Sequence, residues 1–325
     1  MLGYWAATPP PDLIERAKLA EAAGYESVWT AEAYGSDVVS PLCWIGANTS
    51  KIKLGTGLMQ ISARTPACAA MTAATIDHLS GGRLILGLGV SGPQVVEGWY
   101  GQPFPRPLAR TREYVEIIRT ILRREHPVSY AGVHYPMPYP GGTGLGKPLK
   151  ITVHPLRPDV PIYQGAEGPR NVKLATEIAD GGLPIFYSPH RPGMYEGIEF
   201  PTGFEIACPV TTIVTDDVEA GLGFVKLSLS FYIGGMGARD RNFHLDVVSR
   251  MGFEAEARKV QELFLDGRRD EAVAAVPDAL ADEISLVGPP ERIRDRLEAW
   301  KESPVTTLLA GTSDARTIEL LPELV

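Results

Sequence analysis

The sequence predicts a single α/β domain, a (β/α)8 TIM barrel, and three observations predict it. Short apolar runs alternate with amphipathic helical patterns along the whole chain, which is the grammar of parallel βα units. Eight such runs fit within 325 residues, a length suited to one large α/β barrel or to two ordinary domains. No linker-like shift of composition divides the chain, so one domain over 1–325 is expected. The runner-up is an open doubly wound sheet, which usually needs fewer strands.

Taken in order, residues 2–5 read as the first strand, followed by a helix over about 11–23 that Gly24 ends. Residues 26–30 are the second strand and 41–48 a helix; 51–60 are the third strand, leading into a helix over 66–79. The stretch SGGRLILGLGVSGPQ (80–94) is the most informative in the chain. Gly81 and Gly82 break the helix, 83–89 is apolar enough for a strand buried on both faces, and Gly89, Ser91 and Gly92 leave backbone open to a ligand before Pro93 starts another segment. Residues 108–124 carry helical spacing through Val115, Ile118, Ile121 and Leu122. Glycine and proline then dominate 126–158, read as a surface insertion near the active face. The fifth strand is 160–164, with a helix over about 169–179; the sixth is 182–186 and the seventh 204–215. Helical segments fill 216–301, and 305–310 closes the count. Insertions at about 91–159 and 190–245 are placed at the C-terminal face of the barrel.

The composition excludes several classes. A formal net charge of −8, without a basic block, argues against nucleic acid as a partner. Cys43, Cys68 and Cys208 are far apart and form no CxxC pair, so neither a disulfide framework nor a zinc site is expected, and a reducing cytoplasm fits. No apolar run is long enough to span a bilayer, and the N-terminus has no signal-peptide pattern. No HxH or HExxH spacing points to a metal, and Ser91 lies in SGP rather than in a nucleophile elbow.

In a barrel of this kind chemistry sits at the C-terminal ends of the strands. The residues there are Glu32, Ala33 and Tyr34 after the second strand, Gly57, Leu58, Met59, Gln60 and Arg64 after the third, Val90, Ser91 and Gln94 after the fourth, and Gly165, Ala166, Glu167 and Gly168 after the fifth. They are rich in glycine and poor in His, Cys and paired carboxylates, which favours binding of a large cofactor through backbone contacts over side-chain hydrolysis. QGAEGPRN (164–171) offers a helix start for an anion or is an ordinary helix N-terminus with Pro169 in the first turn. Glu167 beside a phosphate is unfavourable unless it points away. Glu32 reads as a functional acid, as a solvated loop carboxylate or as a partner for Arg64.

Four ordered motifs, LGTGLMQISARTP (54–66), DHLSGGRLILGLGVSGPQVVEGWYG (77–101), AEGPRNVKLATEIADG (166–181) and LVGPPERIRDRL (286–297), resemble those of the luciferase-like monooxygenase superfamily. Within it the chain is most similar to oxidoreductases that use the deazaflavin coenzyme F420 (8-hydroxy-5-deazaflavin). The resemblance implies a (β/α)8 barrel and hydride transfer between the deazaflavin C5 and a small organic substrate. It implies a non-proline cis peptide at Gly57-Leu58 pressed on the ring, ring and ribityl contacts at Val90, Ser91 and Gln94, and phosphate-tail contacts at Ala166, Glu167 and Gly168. Several relatives carry an acid followed by His after the second strand; here the pair is Glu32-Ala33, so Glu32, Tyr34, substrate or water must handle the proton. The stretch 190–202 is short for the family. The rival readings are an FMN-dependent monooxygenase and a flavin-binding barrel without catalysis. A homodimer is the expected assembly by analogy, with no membrane or nucleic-acid partner.

Overall fold

The computed structural model describes residues 8, 10–191, 193 and 195–325. The expected strand at 2–5 lies outside the described residues. The described residues begin with helix α1 (Leu13–Ala22), strand β1 (Ser27–Thr30) and helix α2 (Val39–Asn48). The expected third strand is divided into β2 (Lys53–Thr56) and β3 (Met59–Gln60), because the chain turns through a cis peptide at Gly57-Leu58. Then come α3 (Pro66–Ser80), β4 (Leu84–Gly89), α4 (Pro93–Gly98) and α5 (Pro107–Arg123). The second half holds β5 (Ile162–Gly165), α6 (Pro169–Ile178), β6 (Gly181–Leu183) and β7 (Glu205–Val214). Helices α7 (Val218–Gly235) and α8 (Phe243–Val248), a π-helical turn (Ser249–Phe253), α9 (Glu254–Leu265), α10 (Arg269–Ala274) and α11 (Asp278–Glu283) follow. The chain closes with β8 (Ser285–Gly288), α12 (Pro290–Lys301), β9 (Thr307–Gly311) and α13 (Ala315–Leu320).

Helix α3 shows why these boundaries fall where they do. Thr65 caps it by accepting from the Cys68 N–H at 3.2 Å, Pro66 occupies the first turn where its missing N–H costs nothing, and Gly81 stops it in a left-handed conformation at φ 70°. In α5 the residues at helical spacing, Val115, Ile118, Ile121 and Leu122, are all buried.

All strands run parallel in the order β1-β2-β4-β5-β6-β7-β8, with β3 also on β4 and β9 on β7. The sheet is curled into a barrel. Trp29 of β1, Ile85 of β4, Tyr163 of β5, Leu183 of β6, Ala207 of β7 and Leu309 of β9 form one buried cluster, which a flat sheet of this order does not allow. Trp29 and Tyr163 bring their rings to 5.9 Å across the interior. Two larger clusters lie between the strands and the surrounding helices.

Two expectations need correction. Ser285–Gly288 is a strand inside the segment read as wholly helical; Thr211 pairs with both Ser285 and Gly311, so β8 extends the sheet beside the upper part of β7. Residues 126–158 are also rooted away from the mouth. Arg157 donates to Asp77 and to the carbonyl of Leu84, the first residue of β4, so this return lies at the end where strands begin. The middle of the excursion climbs the flank of α5, where the Glu113 carboxylate accepts from the N–H groups of Val133, His134 and Tyr135. No described helix is long and apolar enough to cross a membrane.

Candidate active site

Because every strand is parallel, the loops after β1, β3, β4, β5 and β6 open at one end of the barrel. The cis Gly57-Leu58 peptide lies between β2 and β3, where the resemblance places it. The Leu58 side chain occupies space that a side chain on β4 or β5 would otherwise need: a Cβ on Gly89 would stand 2.3 Å from Leu58 Cδ1, and one on Gly165 2.5 Å from the same atom. Glycine at both positions is what admits the Leu58 side chain. It packs partly buried against the interior cluster.

Beside it, the loop after β1 is tied to β3. One oxygen of Glu32, Oε2, accepts from the Gln60 N–H at 2.9 Å and from Arg64 Nη1 at 2.8 Å, and the Glu32 side chain is 4% exposed. Burial works to lower the Arg64 pKa, but the hydrogen bond and charge of Glu32 outweigh it and hold the guanidinium above its usual value. The Gln60 amide donates to the carbonyls of Glu32 (3.2 Å) and Ala33 (3.4 Å), which fixes Oε1 as a buried acceptor without a partner. Tyr100 donates to the Ala33 carbonyl, and Tyr34 reaches Met236 with its ring 6.5 Å from that of Trp99. Ala33 thus takes part in these contacts through its carbonyl, which accepts from both Gln60 and Tyr100.

After β4 the backbone bends at Ser91, which adopts φ 59°, and Gly92 and Pro93 start α4. Gln94 folds back so that its Oε1 lies 3.0 Å from where a Gly92 Cβ would be. After β5, Ala166 is buried and Gly168 caps α6, with Pro169 in its first turn. The Gly168 carbonyl accepts from the Asn171 and Val172 N–H groups, and the Asn171 amide donates to the Gly165 carbonyl at 3.0 Å. The positive end of the α6 dipole therefore faces the loop 166–168.

The Glu167 side chain is engaged by α8: Oε1 lies 3.5 Å from His244 Nδ1. Arg250 donates to the Glu167 carbonyl at 3.1 Å. Burial raises the Glu167 carboxyl above the usual carboxylate range, against the opposing pull of His244 and Arg250. Phe186, at φ 55° after β6, packs edge-on against Tyr232 (5.2 Å) and His244 (5.9 Å). The structure thus joins Leu58 to Gly89 and Gly165, Glu32 to Gln60 and Arg64, and Glu167 to His244. Sequence reading did not single out Phe186, Tyr232, His244 or Arg250, because no local spacing links α8 to the loop after β5.

A family model described as luciferase-like monooxygenase matches residues 3–307. The chain is 50% identical, over 100% of its length and 97% of the relative's, to a Mycobacterium tuberculosis protein named as a coenzyme F420-dependent oxidoreductase. It is 28% identical to the 5,10-methylenetetrahydromethanopterin reductase of Archaeoglobus fulgidus, over 91% of this chain and 87% of that one. Among solved structures, the coenzyme F420-dependent tetrahydromethanopterin reductase of Methanopyrus kandleri superposes with a TM-score of 0.77 at 26% identity, covering 100% of this chain and 97% of the other.

Proposed function

Since the chain belongs to the luciferase-like monooxygenase family, we propose that it is a coenzyme F420-dependent oxidoreductase that passes a hydride between the deazaflavin and a small organic substrate at the barrel mouth. The observation that carries this reading is Leu58, after the cis peptide, seated over Gly89 and Gly165 as an apolar ledge at the barrel mouth. The start of α6, with Arg250 and His244 beside it, fits the anionic tail of the same cofactor. When bound, F420 supplies a ring carbon that accepts or donates a hydride.

The chain's own residues position and shield. Gly57 and Leu58 bear the ring, with Val90, Ser91 and Gln94 along its edge and the ribityl chain, and Ala166, Glu167 and Gly168 flank the tail. Glu32 accepts from Arg64 and from the Gln60 N–H through Oε2. In this reading Glu32 accepts a proton from the substrate, and its Oε1 is the atom left for a substrate hydroxyl. Tyr34 and Trp99, 43% and 64% exposed, form an apolar rim suited to an uncharged substrate. A homodimer belongs to this reading: Trp44, Met71 and Leu79 are exposed on α2 and α3, helices that pack on each other, and a second copy would cover them. Sedimentation at micromolar protein tests it.

The deciding experiment titrates the purified protein with F420 and with FMN in parallel and follows fluorescence. Tighter F420 binding with no oxygen consumption on turnover supports the proposal. A preference for FMN with oxygen consumption moves the protein to the monooxygenase branch.

A further inference from the structure

The contact between Glu167 and His244 is unusual because neither member is satisfied by it. Glu167 Oε1 lies 3.5 Å from His244 Nδ1, yet Glu167 Oε2 and that Nδ1 are both buried without a hydrogen-bond partner. The two side chains retain 25% and 17% of their surfaces respectively. The imidazole is wedged edge-on against Tyr232 at 4.9 Å and Phe186 at 5.9 Å. The other charged groups acting on Glu167 are Arg250, which favours its ionised form, and Asp246, which opposes it.

A carboxyl and an imidazole that share one proton carry no net charge, whichever of them holds it. A second proton makes the pair cationic. An anion docked at the start of α6, adjacent to Glu167, is repelled by a bare carboxylate and attracted by a cationic pair. Anion and proton therefore favour each other, and the coupling is reciprocal: if protonation tightens anion binding, anion binding tightens protonation by the same factor. Burial raises the Glu167 carboxyl above the usual carboxylate range, which works in the same direction as the geometry.

We propose that Glu167 and His244 form a proton-accepting pair, so that docking of the anionic cofactor tail on the β5–α6 loop takes up a proton. The inference rests on the functional reading above, which places that tail at 166–168. It also resolves why a glutamate stands beside an anion site: the charge that would repel the ligand is cancelled as the ligand arrives.

The test is isothermal titration of the intact protein with F420 in buffers of different ionisation enthalpy, between about pH 6 and 8 where imidazoles ordinarily titrate. The wild type is expected to take up as much as one proton per cofactor, with Kd rising up to about tenfold per pH unit as pH increases. E167Q and H244Q are expected to lose that uptake; titrating groups of F420 itself contribute equally to all three proteins and cancel in the difference. H244Q leaves the loop backbone untouched and so serves should E167Q fold poorly. F420 binding with the same proton count in wild type and variants overturns the inference alone. Absence of F420 binding, or an affinity unchanged by G168D, which places a carboxylate at the α6 start, overturns the functional reading and the inference with it.

Discussion

Leu58 and Gly165 contend for one volume at the barrel mouth: a methyl group on Gly165 would lie 2.5 Å from Leu58 Cδ1. The nearest atom is the end of a flexible side chain, so G165A is expected to fold, with Leu58 displaced at a cost of about 1–3 kcal/mol. If the Leu58 ledge carries the cofactor ring, G165A weakens F420 binding, and the loss is smaller in an L58A background, where the added methyl has room. A double-mutant cycle on Kd reads this coupling, and simple additivity would detach Leu58 from ring binding. At Glu32, E32Q keeps the shape but weakens the hold on Arg64 and removes the proton acceptor. It is expected to lower kcat by 10²–10⁴-fold, the order typical of a general base, with F420 affinity little changed; full kcat in E32Q would reduce Glu32 to a structural anchor. Sequence reading brought Glu32 and Arg64 together only as one alternative among several, because a loop acid and a loop arginine separated by two elements carry no local signal of pairing. The orphaned Gln60 acceptor and the Glu167–His244 contact were illegible for the same reason.

Among elements, the periodic ones were the legible ones. The all-buried LILGLG of β4 and the capped, alanine-rich α3 could be read directly, since proline, threonine and glycine mark the helix ends and burial on both faces leaves a continuous apolar run. Strand β8 could not: SLVG is four residues between two helical patterns, too short to express a period. Nor could the path of 126–158, which depends on pairs distant in sequence. Asp77, 1% exposed at its side chain, is held by Arg157 and so fastens the returning end of that excursion to the end of α3. R157A leaves the Asp77 charge buried with little compensation. It is expected to destabilise the protein by about 3 kcal/mol, the lower end of the range for broken buried pairs, because Arg157 is itself 32% exposed. Denaturant unfolding measures this, and R157A/D77N should recover part of the loss; no loss in R157A would mean that the excursion is held elsewhere.

For the molecule as a whole, carboxylates that act as backbone anchors set the response to acid. Glu21, at the end of α1, accepts from the N–H groups of Ile52, Lys51 and Ser50, and these bonds bring its pKa down to about 2 from 4.5. Asp37 is lowered too, burial opposing and the Ser40 and Val39 N–H groups prevailing, and Asp314 is lowered by its hydrogen bond to Thr317. A carboxyl whose folded pKa lies below its unfolded value binds fewer protons in the native state, so its stabilisation is complete above the unfolded pKa and disappears as pH falls through the folded one. For Glu21 that window runs from 4.5 down to about 2. Glu167 has the opposite sign: its raised carboxyl makes folding easier as pH falls, but one group does not offset several. The melting temperature is therefore expected to stay level near neutrality and to fall progressively once pH passes below the ordinary carboxylate range. E21Q should melt lower than wild type at pH 7, where the charged anchor is fully formed, and should converge with it toward pH 2, where wild-type Glu21 is protonated as well. Parallel melting curves for the two proteins across the whole range would show that these three N–H bonds are not what ties α1 to the entry of β2.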